Sequence, residues 1–561
     1  MEERRLLLAV ALSLLVLTAY QLLFAPPPAP RPSAPSPAGP SPATTSGPGG
    51  ATAPPGRPTP QAGTAAPATP GPRVTDARER RVEVVADDAT LAFTNRGARL
   101  VSWRLERYRD VQGRPEEMVQ TLPGAPRPLD VETGDPALDE RLREALFQPS
   151  TETLSVHGAQ EAELVFRYAD GEVEARKALR VRAQGYVVQV AVSVRREGRE
   201  VPRKITWGPG VGNPTTAETE VQGYQAPQAV ALTENGVERH PAKPGPVLTL
   251  SPVRWAGIEG HYFAALFVAP GGQGTAELRT VGLPPGEDGK PRTAPQVALD
   301  LGTAPDPALL YVGPKDHHAL ASAGHDLRRV VPLGEWIGPI VLALMNLLRW
   351  VHGHVGNYGW SIVALTVLIN LAMAPLRHYS IANGIKMAKL APEMRVIQER
   401  YRKVPALDPR RQEMQKEVAA LYARHGMSMS TQMMVGCLPL LLTMPFLIAF
   451  YRVLQVSIEL RGAHFLWIPD LSQRDPLFIT PVLMGASMFV MQKMTPTSMD
   501  PAQARMMMIM PVVLMAMFFA APAGLNLYWL ASNLCSIVQQ GVTLRIVHAG
   551  AETAGRKDRR R

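Results

Sequence analysis

The sequence predicts a polytopic α-helical membrane protein with six transmembrane helices and a large all-β domain on one side of the membrane. Three observations lead to this prediction. Apolar runs of about the 20 residues that a bilayer requires occur at the N-terminus and repeatedly in the last third of the chain. Short alternating runs broken by turn residues fill the middle of the chain. Basic residues concentrate in the connections on one side of the apolar runs.

The N-terminal apolar run predicts an uncleaved transmembrane anchor over residues 1–24. Leu6–Phe24 is long enough to cross a bilayer, and two arginines precede it. A cleavable signal needs small residues just before the cut, whereas Leu23 stands two residues before Ala25 and a proline follows directly. We therefore expect the N-terminus to lie in the cytoplasm.

Two segments of different composition follow the anchor. Residues 25–78 consist largely of Pro, Ala, Gly, Ser and Thr, which predicts a disordered linker because such a chain buries too little apolar surface to offset ordering. Residues 79–325 contain alternating runs such as "RVEVVADD" and "YVVQVAVSVRR", which predict an antiparallel β domain of two sheets. No carboxylate pair, histidine cluster or nucleophile motif is readable in this domain, and His261 is interpreted as structural.

The C-terminal part predicts a helical core over residues 359–545. Residues 326–358 contain Trp336 and Trp350 and predict a helix lying on the outer membrane surface. A helical hairpin is predicted over residues 380–426, with Asp408 and Pro409 at the start of its second helix and Gly426 at its end. Residues 546–561 form a basic tail. The five predicted core spans are 359–376, 433–456, 477–494, 506–520 and 525–542.

The distribution of Lys and Arg predicts the orientation. The hairpin and the tail are rich in both, whereas the loop over residues 457–476 holds only Arg461 and Arg474. Both termini are therefore expected in the cytoplasm and residues 25–358 outside. The hairpin is either a solvated helical loop or a docking surface for acidic partners such as ribosomal RNA or lipid headgroups. The predicted docking residues are Lys386, Lys389, Arg395, Arg402, Arg410 and Arg411.

The composition of the spans argues against several classes of function. They contain no Asp or Glu, although transporters place carboxylates at membrane depth. No motif for a phosphate-binding loop, a metalloprotease or a nucleophile elbow occurs, so no enzyme, cofactor or metal site is predicted. Cys437 and Cys535 lie in apolar runs and are interpreted as small hydrophobic residues. The neutral polar residues of the spans either bond neighbouring helices or line a hydrated recess, and the pattern leaves both readings open.

Several motifs together resemble those of the YidC/Oxa family of membrane protein insertases. In the core these are "APLRHYSIANGIKMAKLAPEM", "DPLFITPVLMGASMFVMQKMTP" and "LNLYWLASNLCSIVQQ", and in the β domain "TNRGARLVSWRLERY" and "WGPGVGN". Their order, spacing and topology agree with the Gram-negative type of the family. Only the linker and the tail fall outside the resemblance.

The resemblance implies a non-enzymatic insertase and chaperone of the cell inner membrane, acting alone or with the Sec translocon on nascent membrane proteins. It implies a periplasmic β-supersandwich and a hydrophilic groove that opens to the cytoplasm and to lipid. The family usually has Arg in this groove at the position of Asn370, so this chain departs from the pattern there. The predicted groove residues are Asn370, Tyr451, Arg452, Gln492, Ser532, Asn533 and Gln539. The alternative is a membrane-anchored periplasmic protein that acts on or binds carbohydrate.

Overall fold

A computed structural model describes residues 73–558, apart from residues 111, 121–125, 286–291, 335, 402–403, 406–407, 426–443 and 496–500. The predicted anchor, most of the predicted linker and the first part of the predicted 433–456 span lie outside the described residues. Residues 69–561 form one compact unit, to which every described element belongs.

In the described part of the β domain, twenty strands form three sheets. The sheets have the strand orders β4-β3-β2-β1-β7, β14-β13-β16-β17-β20-β10-β9-β8-β6 and β15-β18-β19-β12-β5, with β11 pairing beside β10. All pairings between these described strands are antiparallel except that of β1 with β7. The strands are β1 (Arg81–Ala86), β2 (Ala89–Thr94), β3 (Arg99–Arg109), β4 (Pro115–Glu117), β5 (Val131–Glu132), β6 (Gln148–Pro149), β7 (Thr153–Val156), β8 (Glu161–Ala169), β9 (Val173–Arg182), β10 (Val187–Arg196), β11 (Arg199–Glu200), β12 (Arg203–Trp207), β13 (Gln228–Thr233), β14 (Gly236–Pro241), β15 (Leu248–Val253), β16 (Trp255–Glu259), β17 (Phe263–Val268), β18 (Gly274–Leu283), β19 (Arg292–Gly302) and β20 (Ala308–Pro314).

One apolar core joins the three sheets. Along β10, alternate residues such as Val188 and Val190 are buried while their neighbours are half-buried, because successive side chains of a strand point to opposite faces. Trp103 and Trp207 are fully buried and meet edge to face, with ring centroids 6.3 Å apart. The prediction of a β-rich domain in the middle of the chain is confirmed.

Helices make up most of the chain after β20, as predicted for the C-terminal region. Two short helices, α1 and α2, lie within the β domain, and α3 follows its last strand. The helices are α1 (Pro136–Glu144), α2 (Thr216–Thr219), α3 (His317–Ala323), α4 (Gly338–Val355), α5 (Tyr358–Ala372), α6 (Ala374–Arg400), α7 (Arg410–Arg424), α8 (Met444–Val456), α9 (Ile479–Met494), α10 (Pro501–Phe518) and α11 (Ala523–Asp558).

Several helix boundaries differ from the predicted ones. The helix within the predicted 326–358 segment covers only Gly338–Val355. α5 ends at Ala372, because the chain bends at Met373 and Pro375 occupies the first turn of α6. Pro409, not Asp408, is the N-terminal cap of α7, although the Asp408 carboxylate accepts a bond from the Arg410 amide. α11 continues into the predicted tail as far as Asp558.

A helix that crosses a membrane needs about 20 predominantly apolar residues. Among the described residues, no single helix is both long and apolar enough to cross a membrane. α4 and α5 together meet this requirement, but they are bent by 120° at the break between them.

α6 and α7 pack against each other in the region where a helical hairpin is predicted. Leu390 and Met394 of α6 contact Val418 and Tyr422 of α7 in a small apolar cluster. The Tyr422 hydroxyl lies 3.2 Å from the Met394 sulfur. The basic side chains of the hairpin stay on the outside, since Lys386, Lys389, Arg395 and Arg410 are exposed. Arg411 is half-buried, and Arg402 lies outside the described residues.

A buried charge cluster joins the β domain to the helical core. Arg461, in the loop after α8, donates to Glu218 (2.7 Å) and Glu116 (2.8 Å), both of the β domain. Its side chain is 8% exposed and lies over the Phe263 ring, 5.4 Å from the centroid. Burial alone would lower the pKa of Arg461, but the two carboxylates raise it above its ordinary value. The cluster is thus a desolvated ion-pair junction between the two parts.

Replacing Arg461 tests how much this junction contributes to the free energy of unfolding. The substitution Arg461→Met leaves Glu116 and Glu218 buried without a counter-charge, which costs about 3–5 kcal/mol. We expect a clearly lower thermal-unfolding midpoint for the full chain in detergent.

The matched control is Arg474→Met, which breaks the ion pair between Arg474 and Glu220. Both partners are more than two-fifths exposed, so the expected loss is below about 1 kcal/mol. Equal midpoints for the two variants would contradict a structural role of the buried cluster.

Candidate functional site

Asn370 lies buried in the last turn of α5, with 6% of its surface exposed. Its side-chain amide donates to the Thr366 carbonyl, one turn earlier, at 2.7 Å. Its side-chain oxygen accepts a 2.7 Å bond from the guanidinium of Arg377 on α6. An amide in an apolar helix must be hydrogen-bonded, and here both of its ends are.

Arg377, in the first turn of α6, is a residue that the sequence analysis did not single out. Its guanidinium also donates to the Ser536 hydroxyl of α11 at 2.6 Å. Among the described residues, no carboxylate lies within ion-pair distance of it, so neutral oxygens alone hold this half-buried cation. No local signal marked this contact, because α5 ends at Ala372 and the chain bends at Met373 before Arg377.

Further bonds fasten α11 to the bend between α5 and α6. Gln539 donates to the Ala374 carbonyl at 2.7 Å, and His378 lies 3.0 Å from the Thr543 hydroxyl. The Ser536 hydroxyl donates in turn to the Ser532 carbonyl at 2.8 Å. We use the name polar cluster for the residues gathered here: Asn370, Arg377, Ser532, Ser536 and Gln539.

Two other predicted groove residues form helix-to-helix bonds. Asn533 donates to the Ser487 hydroxyl of α9 at 3.0 Å, and both side chains are buried. Gln492 donates to the Met507 carbonyl of α10 at 2.7 Å. These bonds match the first of the two readings left open by the sequence, in which amides join neighbouring helices. Whether the same side chains also face a client stays a prediction.

Tyr451 and Arg452 lie at the end of α8 that meets the β domain. Gln455 donates to the Tyr451 hydroxyl at 2.7 Å and accepts a 3.3 Å bond from Arg452. Gly223 of the β domain lies so close that a Cβ added there would stand 3.3 Å from the Tyr451 hydroxyl. The described side-chain bonds of these two residues are thus both with Gln455 of the same helix, and none joins them to the polar cluster.

His261 has the contacts of a structural residue. Its Nδ1 accepts a bond from the Gln225 amide at 3.2 Å. Burial, with a smaller contribution from the Lys315 ammonium, lowers the pKa of His261 to about 4. The imidazole is therefore neutral at neutral pH and serves as an acceptor, as the structural interpretation expects.

The neutral state of His261 predicts a pH-dependent stability. An unfolded chain binds a proton at this histidine below about pH 6.5, whereas the folded chain does not until about pH 4. Stability should therefore fall as the pH falls through this window, by up to about 3 kcal/mol. The substitution His261→Gln should flatten this dependence in thermal-unfolding curves of the full chain.

The exposed His318 gives the matched control, as His318→Gln. We expect this variant to keep the wild-type dependence. If His261→Gln also kept it, a buried neutral imidazole would be the wrong description.

Comparison with known proteins identifies the family. Residues 350–550 match the family described as 60Kd inner membrane protein, and residues 81–347 match the YidC periplasmic domain. The membrane protein insertase YidC of Geobacter metallireducens is 34% identical over 556 residues, covering 96% of this chain and 97% of the relative. That of Syntrophus aciditrophicus is 30% identical over 558 residues, covering 96% and 98%. This chain belongs to the YidC family of membrane protein insertases.

Among solved structures, the chain is similar to a crystal structure of an active YidC insertase with its first transmembrane domain resolved. The identity is 18%, the TM-score is 0.34, and the match covers 84% of this chain and 94% of that one.

Membership in the YidC family confirms the resemblance inferred from the motifs. It supports a membrane location and a β-sheet-rich periplasmic domain followed by a helical C-terminal region. The carbohydrate alternative has less support, because relatives matching nearly the whole chain carry the insertase name. The polar cluster falls within the residues that match the 60Kd inner membrane protein family.

Proposed function

We propose that this protein inserts and folds membrane proteins from the cytoplasmic side, and that the polar cluster lines the groove through which a polar client segment enters. The site assignment rests on the environment of the Arg377 guanidinium. This group is half-buried among apolar helices, and its only partners among the described residues are Asn370 and Ser536. Such a charge is costly in an apolar surrounding, which makes it a candidate functional group.

An acidic client segment is the natural partner of this cation. Arg stays protonated, and its planar fork of donors suits a carboxylate. Asn370 and Ser536 each accept one bond from the same terminal nitrogen, and the other donors have no partner in the described part of the chain, which leaves them available to a carboxylate. The carboxylate of the client pairs with Arg377 part-way along its path into the membrane. This pairing lowers the desolvation cost of bringing the negative charge among the helices. Burial of the client's apolar helix in lipid then drives the step, at about 25 cal/mol per Å².

The proposed topology has six transmembrane helices and cytoplasmic N- and C-termini, with residues 25–358 in the periplasm. The positive charge of the hairpin and the tail supports this orientation. α4 is proposed to lie on the outer membrane surface. In support, Trp336 and Trp350 are 57% and 61% exposed, and α4 turns away from α5 by 120°. The three sheets are proposed to form a supersandwich.

The hairpin of α6 and α7 is proposed to receive ribosome-borne clients, with the Sec translocon as a further partner. Its apolar cluster faces inward, so that exposed cations such as Lys386 and Lys389 are available to an acidic surface. Since α6 begins immediately after the bend at Met373, the hairpin and Arg377 lie on one continuous helix. A segment held at the hairpin is thereby delivered near the polar cluster.

Substitutions at Arg377 and Asn370 test the groove. The substitution Arg377→Gln removes the charge but keeps hydrogen-bonding capacity. We expect insertion of a client with an acidic tail to fall about tenfold relative to the same client with a neutral tail, because a charged hydrogen bond is lost. The measurement is protease protection of the translocated tail in vesicles containing the full-length protein.

A double variant separates charge from fold. Asn370→Arg alone places two guanidiniums side by side and is expected to impair insertion of both clients. Asn370→Arg with Arg377→Gln moves the charge by two helical turns and is expected to restore the acidic client. Arg545→Gln, on the exposed side of α11, is the matched control and should change neither. Equal losses for both clients in Arg377→Gln, tracking protein level, would sink the groove assignment.

The hairpin proposal predicts an electrostatic effect. Changing Lys386, Lys389 and Arg395 together to Gln leaves the apolar cluster intact, since all three side chains are exposed. We expect weaker, less salt-dependent binding to translating ribosomes in a co-sedimentation assay, because each neutralised contact reduces counterion release. Glu393→Gln, also exposed on α6, is the control and should not weaken binding. Unchanged binding in the triple variant would leave the hairpin a connector.

A further inference from the structure

A cavity of about 360 Å³ lies where the β domain meets the end of α8. The β domain contributes Arg239, His261 and Lys315 to its wall, and α8 contributes Arg452 and Gln455. The segment leading into α4 closes another side with apolar surface. Both parts of the molecule therefore share this cavity, which lies apart from the polar cluster.

The charges around the cavity do not cancel. Arg239 and Lys315 share a single carboxylate, that of Glu259, at 2.7 and 3.0 Å. Lys315 and Glu259 are almost fully buried. Among the described residues, no carboxylate lies within ion-pair distance of Arg452, whose 3.3 Å bond to the Gln455 oxygen is long. Among the described lining residues, Arg239, Lys315 and Arg452 are cationic and none carries a carboxylate, while Glu259, which does not line the cavity, pairs with the first two.

The surroundings of the cavity indicate which anion would reach it. Val331 and Pro332 line it and precede α4, and Trp336 before this helix and Trp350 within it are exposed. Exposed tryptophans of this kind mark the headgroup layer of a membrane. Val456 adds a further apolar wall beside the cations. A ligand with an anionic head and an apolar body matches this combination better than a free inorganic anion.

We propose that this cavity binds the phosphate of an anionic phospholipid from the outer leaflet, with Arg452 as the principal contact. The guanidinium and the Gln455 amide face the phosphate, while the glycerol end lies against Val456 and Val331. A lipid held here touches both the β domain and α8, and thus ties the β domain to the membrane surface. This site is independent of the insertion function proposed above.

Lipid binding to the full-length, delipidated protein tests the site. The probes are phosphatidylglycerol, phosphatidylcholine and inorganic phosphate, each titrated and followed by native mass spectrometry. We expect one phosphatidylglycerol to bind with preference over phosphatidylcholine, and excess inorganic phosphate not to displace it. Arg452→Gln should weaken this binding at least tenfold, because a charge-assisted contact is lost.

A second variant guards against a folding defect. Gln455→Glu places a carboxylate beside Arg452, so that the guanidinium is neutralised without leaving its position. We expect this variant to keep its thermal midpoint and to lose the preference for phosphatidylglycerol. Arg474→Gln, in the exposed pair with Glu220, is the matched control and should retain the preference.

Three results would overturn the proposal. These are equal phosphatidylglycerol binding by wild type and both cavity variants, equal loss in Arg474→Gln, and displacement of the lipid by inorganic phosphate at similar concentration. The last result would assign the cavity to a free anion instead.

Discussion

The requirement that every polar group among apolar helices be hydrogen-bonded shapes the helical core of this protein. Asn533 and Ser487 fulfil this requirement with neutral partners. The Asn533 amide donates to the Ser487 hydroxyl, which donates to the Met484 carbonyl. Asn370 and Ser536 meet it differently, because both give their oxygens to the charged Arg377. The first arrangement holds two helices together. The second holds a cation in place without neutralising it, so that the positive charge remains available.

The same distinction separates three arginines of the chain by role. Arg461 is surrounded by two carboxylates and an aromatic ring, which fits a structural junction. Arg377 and Arg452 have neutral partners alone among the described residues. A protein gains little stability from a half-buried, unneutralised charge. The two therefore fit the proposed ligands, a client carboxylate for Arg377 and a lipid phosphate for Arg452.

The sequence predicted the large features because each depends on a local pattern. Period-two alternation produced the β domain, and apolar positions three and four residues apart produced the hairpin cluster around Leu390 and Tyr422. The role of Arg377 was missed because it depends on tertiary structure. A basic residue after an apolar run reads as the start of a loop, and only the bend at Met373 and the approach of α11 turn it toward Asn370. Similarly, nothing local to Arg452 shows that the β domain covers the end of α8.

The pairing of Asn370 with Arg377 offers a physical account of an asparagine at a position where the resemblance implies an arginine. An arginine at position 370 would stand inside the apolar run, where desolvation is most costly. Arg377 follows the bend and lies two turns farther along the chain, while its long side chain reaches back to the amide at 370. The backbone of Arg377 thus lies nearer the polar connection after α5. Its guanidinium nevertheless reaches the buried side chain of Asn370. An asparagine at 370 suits this arrangement because its oxygen receives the guanidinium while its amide is satisfied by Thr366. The two positions therefore act as one unit, and the identity of either is explained only together with the other.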